Sequence, residues 1–134
     1  MFTLRKIEGG RLNVFEPVVY PVGTSKAVTE GEALVLSSGK LVRCDPTVKP
    51  TFIALASGAA STNDNIVEIP VGRVEPNQVY EVATNANASA LTVGAKVTIG
   101  GDGLTVTATT TSGVAEIVDL NGATKTGDTI YVRF

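Results

Sequence analysis

The chain has 134 residues, a formal net charge of -2, 43% hydrophobic and 18% charged residues. That balance excludes a disordered tail and gives no basic footprint for nucleic acid or an anionic membrane. With no histidine and one cysteine, it also excludes Ser–His–Asp and Cys–His catalysis, a structural zinc site and an intrachain disulfide.

Residues 1–26 read as an extended N-terminal arm. Its opening "MFTLRKIEGG" lacks the apolar block of a signal peptide, and no run of about 18 apolar residues to span a bilayer follows anywhere. We therefore expect synthesis and folding in a cytoplasm. In "FEPVVYPVG", Pro17 and Pro21 remove backbone donors and hold their neighbours out of the α region. The arm carries Arg5, Lys6 and Arg11 against Glu8 and Glu16, and holds Phe2, Phe15 and Tyr20, three of the seven aromatics. Extended arms of this kind add to another subunit's sheet edge. Phe2, Leu4, Arg5, Lys6, Arg11, Phe15 and Tyr20 are the candidate contacts with a partner or a neighbouring copy. Residues 12–20 also read as a strand folded back on the chain's own body.

Residues 27–134 read as one all-β domain. Val and Thr dominate, and β-branched residues suit a pleated, half-buried surface. Gly31 precedes "EALVL", a turn "SSG" and "KLVRC"; Gly94 precedes "AKVTI", a turn "GGDG" and "LTVTA". An apolar stretch follows each, "TFIALAS" and "GVAEIVDL", and then a polar turn and a closing strand, "TNDNIVEIPV" and "KTGDTIYVRF". Gly31 to Asp64 spans 33 positions and Gly94 to Asp128 spans 34. Each copy is a hairpin followed by a strand, a turn and another strand, and two such units are needed to close around a shared core. The expected fold is a small β-barrel or sandwich of two pseudo-repeats, 28–72 and 91–134. Between them, "PNQVYEVATNANASAL" reads as a strand and then a loop.

No constellation in this frame supports an enzyme. Cys44 ends an alternating strand and reads as a buried small hydrophobe. "GGDG" joins two strands, so it is a hairpin turn and lacks the helix and Lys-Ser/Thr pair of a phosphate loop. Asp102 alone does not supply the convergent oxygens calcium needs. Glu30, Glu32, Glu68, Glu75 and Glu81 read as a solvated face rather than paired carboxylates flanking a cleft. No metal or cofactor is expected.

The stretches "GEALVLSSGKLVRCD", "TFIALASGAASTNDNIVEIPVGRVEPNQVYEV" and "LTVGAKVTIGGDGLTVTATTTSGVAEIVDLNGATKTGDTIYVRF" together resemble the capsid cement family of tailed bacteriophages, over about residues 27–134. Residues 31–82 also resemble the small head decoration protein of lambda-like phages, with a "KLV-x-x-D" strand leading to an "I-A-x-A" strand and a Thr/Asn/Asp turn. The resemblance implies a β-tulip-like fold and a non-enzymatic virion protein. Such a protein binds the outer surface of the assembled head between subunits of the major capsid protein, as a homo-oligomer, with a trimer favoured. It implies no nucleic acid, membrane or small-molecule substrate. Thr-rich stretches such as "LTVTATTTSG" also fit a second reading, a tail, baseplate or fibre component or a host-surface binding module. A small barrel enzyme is a third.

Overall fold

A computed structural model describes residues 1–9 and 17–134. Its strands are β1 (Thr3–Ile7), β2 (Pro17–Pro21), β3 (Ala33–Ser37), β4 (Lys40–Arg43), β5 (Phe52–Ala54), β6 (Glu68–Arg73), β7 (Gln78–Thr84), β8 (Lys96–Val97), β9 (Thr105–Val106), β10 (Ala115–Asp119) and β11 (Thr129–Arg133). One 3₁₀ turn, Ala88–Ala90, follows β7; Asn87 opens it by accepting the Ser89 N–H. The strands are short because glycine, proline and Asx turns interrupt the apolar alternation every few residues.

The first sheet runs β1-β7-β11-β10-β8, with β9 joined to β7; the second runs β2-β6-β5-β3-β4. All pairs are antiparallel except β7 with β9. The architecture is a sandwich of two sheets, and neither closes into a barrel.

The two sheets share one wiring plan. β2, β6, β5, β3 and β4 follow each other across one sheet as β7, β11, β10 and β8 do across the other, with β9 returning beside β7. Individual hydrogen bonds repeat as well. Gly31 N–H donates to Ala54 O and Gly94 N–H to Ile117 O, both at 2.8 Å. Val22 N–H meets Val67 O at 2.8 Å, and Thr84 N–H meets Asp128 O at 3.0 Å. Gly23 N–H meets Leu41 O and Asn85 N–H meets Val106 O, both at 2.8 Å. The glycines that open the two hairpins have φ of 76° and 85°, a left-handed backbone that glycine adopts without a Cβ penalty.

Each five-strand set starts earlier than the sequence repeat. β2, which the sequence places within the arm but as a strand folded back on the chain's own body, is indeed such a strand, at the edge of the second sheet against β6. β7, read as lying between the copies, holds the same place beside β11. β1 lies on the outer side of β7, with Thr3 opposite Glu81 and Leu4 opposite Tyr80.

Two apolar clusters result. One lies inside the second sheet, from Leu34, Leu41, Phe52, Ile69 and Val71, with the Tyr20 ring 5.1 Å from that of Phe52. The other joins Val82, Ile99, Ile117, Ile130 and Val132 of the first sheet to Ala33 and Ile53 from the opposite face of β3 and β5. The scarce aromatics concentrate here: the Phe134 ring lies 5.4 Å from Phe2 and 5.6 Å from Tyr80. Burying each large aliphatic side chain contributes about 1.5–3 kcal/mol.

The second hairpin turn fastens one sheet to the other. Ala33 N–H donates to Gly103 O at 2.8 Å, Arg43 Nη1 reaches Gly101 O at 3.3 Å, and the Met1 amino group donates to Leu104 O.

Candidate interaction surface

Side chains with reactive potential are occupied structurally. Cys44 is 2% exposed and its Sγ lies 2.9 Å from Val48 O. Burial, reinforced by the charge of Asp45, pushes its thiol up to about 12. Asp102 Oδ1 ties its own turn, accepting Leu104 N–H at 2.8 Å, Thr105 N–H at 3.2 Å and the Thr105 hydroxyl at 3.0 Å. Among the described residues no group of three or more His, Cys, Asp or Glu stands ready to hold a metal ion, and no helix is long and apolar enough to cross a membrane.

The arm residues singled out from the sequence do not gather on one patch. Phe2 is 2% exposed and belongs to the first core, so its ring is packed inside the chain rather than offered to a partner. Leu4 is half-buried against the same core. Arg5 is exposed, its guanidinium 5.9 Å from the Tyr131 ring centre. Lys6 pairs with Glu8 at 3.2 Å. Arg5 and Lys6 border a groove of about 420 Å³ with Val79, Val118, Asp119 and Tyr131. Tyr20 packs toward the core of the second sheet. Arg11 and Phe15 lie outside the described residues.

A different surface stands out, on the outer face of β2 and β6. Val19 on β2 is 59% exposed, and Ile66, in the segment that leads into β6, is 54% exposed. Directly opposed residues share a face, so Pro17, Val19 and Pro21 line up with Gly72, Pro70 and Glu68. Ile66 continues the row beyond Glu68: Val67, beside it, turns inward onto the second core. Leu55, just past the end of β5, extends the row sideways, its N–H donating to Pro70 O at 3.0 Å.

Hydrogen-bond parity decides what this edge can do. Pro70 has no N–H, and the Val22 to Val67 bond keeps phase with the Val18–Val71 and Tyr20–Ile69 pairs. The even residues of β2 therefore bond to β6, and the odd ones face away from it. Of those three, Pro17 and Pro21 have no N–H, so the outer side presents the single donor of Val19. The cue lay in the sequence: Pro17, Val19 and Pro21 share one parity in "PVVYP". What the sequence lacked was the partner strand that says which parity points outward.

No family model matches the chain, and no curated protein matches it in sequence. In fold it is similar to the crystal structure of the head fiber gp8.5 N base in bacteriophage phi29, with a TM-score of 0.59. The match covers 88% of this chain and 93% of that one at 14% sequence identity, so the likeness is one of fold.

Proposed function

We propose that this chain is a non-enzymatic structural protein of a phage head. In this reading it is a decoration, or cement, protein. It binds the outer surface of the assembled shell between subunits of the major capsid protein and stabilises the shell against the pressure of packaged DNA. The observation that carries the reading is the fold likeness, over nearly the whole length of both chains, to a protein described as the base of a phage head fiber. The doubled β-sandwich and the sequence resemblance to cement proteins support it.

The physics is that of a clip. A protein that binds the mature shell and not its alternatives stabilises that state by mass action. Individually weak contacts add up when an oligomer, here a proposed trimer, engages several coat subunits at once. A total interface of roughly 1,000 Å² or more is expected. The protein is made in the bacterial host cytoplasm and ends on the virion exterior. Its partners are the coat protein and copies of itself. It needs no cofactor, nucleic acid, membrane or small-molecule substrate.

The fiber in the neighbour's description favours a second reading, the base of a projecting fibre. Copy number tests the head reading against a tail component. Quantitative mass spectrometry of purified particles, against the major capsid protein, gives a simple lattice fraction for a cement protein. A handful of copies per particle favours a tail or portal component, and absence from the particle refutes a virion role.

A further inference from the structure

We infer that the outer face of β2 and β6, centred on Val19 and Ile66, is the surface through which this chain docks on its partner. That partner is a preformed protein surface, apolar and carrying a cation opposite Glu68. Its identity as the coat shell rests on the reading above; the position of the face does not.

The repeated wiring supplies an internal control. Val19 opposite Pro70 in the second sheet corresponds to Glu81 opposite Tyr131 in the first. Pro21 opposite Glu68 corresponds to Ala83 opposite Thr129. The same fold thus carries a charge where Val19 stands, and nothing in it demands an aliphatic side chain 59% exposed there. Exposed apolar residues gathered in a row mark a contact surface.

The chemistry of the row narrows what covers it. An added strand needs a ladder of donors and acceptors, and Pro17 and Pro21 remove two of the three outward donors of β2. A two-fold contact of this face with a second copy is disfavoured by charge. Glu68 sits mid-row, between Ile66 and Pro70, so a two-fold contact centred on this face opposes two carboxylates. A foreign surface bearing Lys or Arg at that point turns the same carboxylate into an attraction. The prolines also fix the backbone in advance, which lowers the ordering cost of docking a preformed face.

The test uses the full chain and empty shells assembled from the major capsid protein encoded with it. Val19→Glu/Ile66→Glu is compared with wild type by co-sedimentation, with thermal melts to confirm folding and Val19→Ser/Ile66→Ser in reserve if the first pair unfolds. Val93→Glu, at an aliphatic side chain 55% exposed just before β8 of the first sheet, is the control. We expect the Val19/Ile66 variant to bind at least about tenfold more weakly and the control to bind like wild type. A Val19/Ile66 variant that binds like wild type overturns this inference and leaves the head reading standing. A wild-type chain that leaves the shells bare overturns both. Self-association of the wild type, lost in the Val19/Ile66 variant on sedimentation velocity, also overturns the inference by giving the face to a second copy.

Discussion

The carboxylate of Glu32, 1% exposed, accepts Arg43 Nε at 2.6 Å, and it is this pair that meets the turn of the second hairpin. Glu32 also accepts Thr29 N–H at 2.8 Å, while Arg43 Nη1 reaches across to Gly101 O at 3.3 Å. A buried acid thus joins its own hairpin to the turn of the other repeat. Removing the cation strands a charge in the interior, which is far costlier than losing an exposed pair. Arg43 itself is 30% exposed, so water recovers part of the cost. We expect Arg43→Met to lose about 2–3 kcal/mol in urea unfolding. Glu32→Gln, which leaves no bare charge, should lose only about 1 kcal/mol. The double variant should fall well short of the sum of the singles, because both touch one network.

Gly31 and Gly94 occupy matching places with φ of 76° and 85°, yet their surroundings differ. A Cβ on Gly94 meets open space, whereas one on Gly31 falls 1.9 Å from Met1 Cγ and 2.9 Å from Met1 Cβ. Gly94→Ala should therefore cost only the left-handed strain, about 1 kcal/mol. Gly31→Ala should cost about 1 kcal/mol more, because the Met1 side chain must move as well. Equal melting shifts for the two variants would contradict this difference.

Two aspartates set the acid limit. Asp102 is held below the ordinary aspartate value: partial burial pushes it upward, but its bonds from Leu104 N–H, the Thr105 hydroxyl and Thr105 N–H together outweigh that. Asp128 is lowered by Thr124 and Lys125 N–H donors at 2.8 and 2.9 Å. A carboxylate with a depressed folded pKa adds stability that is complete above its unfolded value and is lost as pH falls through the folded one. Urea midpoints should thus drop as pH is lowered from about 6 to about 3. Asp102→Asn/Asp128→Asn should flatten that slope, with its largest relative gain at the acid end.

Cys44 should be silent in the folded chain. Its Sγ is buried and its thiol is raised to about 12, so almost no thiolate exists near neutrality. Labelling by an aromatic disulfide reagent should be at least about a hundredfold slower in buffer than in urea. Rapid labelling of native protein would show that the β4 end opens readily.

Sequence and structure agree where the cues are local. Alternating Val and Thr give strands, and the spacing of Gly31 and Gly94 before their hairpins marks two like units, because a left-handed glycine before a strand is a short-range device. The barrel-or-sandwich choice resolves to a sandwich, a matter of how far strand ends curl, which no local pattern states. Phe2 reads as a contact only as an aromatic of an extended arm; its burial depends on Phe134, far along the sequence. The folded-back strand at the end of the arm agrees with β2, but its partner, β6, lies beyond two hairpin strands and β5, so no local pattern names it. The docking face escaped notice for the same reason, since parity shows which residues stand together but only the partner strand shows which way they point.

The last prediction concerns what the prolines of β2 prevent. β7, the matching strand of the first sheet, has its outer side covered by β1, with Thr3 opposite Glu81. β4 meets the far end of β2 through the parallel Val22–Leu41 bridge; ahead of that bridge the described residues pair no strand with the outer side of β2, and Pro17 and Pro21 stand at outward positions. An edge strand with free donors is a template for unwanted pairing, and proline at outward positions removes the donors without disturbing the inner ladder. Pro17→Val/Pro21→Val restores two N–H groups beside the exposed Val19 and makes an unbroken β-branched edge. Its fold should persist, because the bonds to β6 run through Val18, Tyr20 and Val22. Its solution behaviour should change: sedimentation velocity should show concentration-dependent dimers or larger species where the wild type, at equal concentration, shows fewer. A single Pro17→Val should have a weaker effect, since Pro21 still interrupts the ladder. Were the double variant to sediment like the wild type at every concentration, the prolines would not be what keeps this edge unpaired.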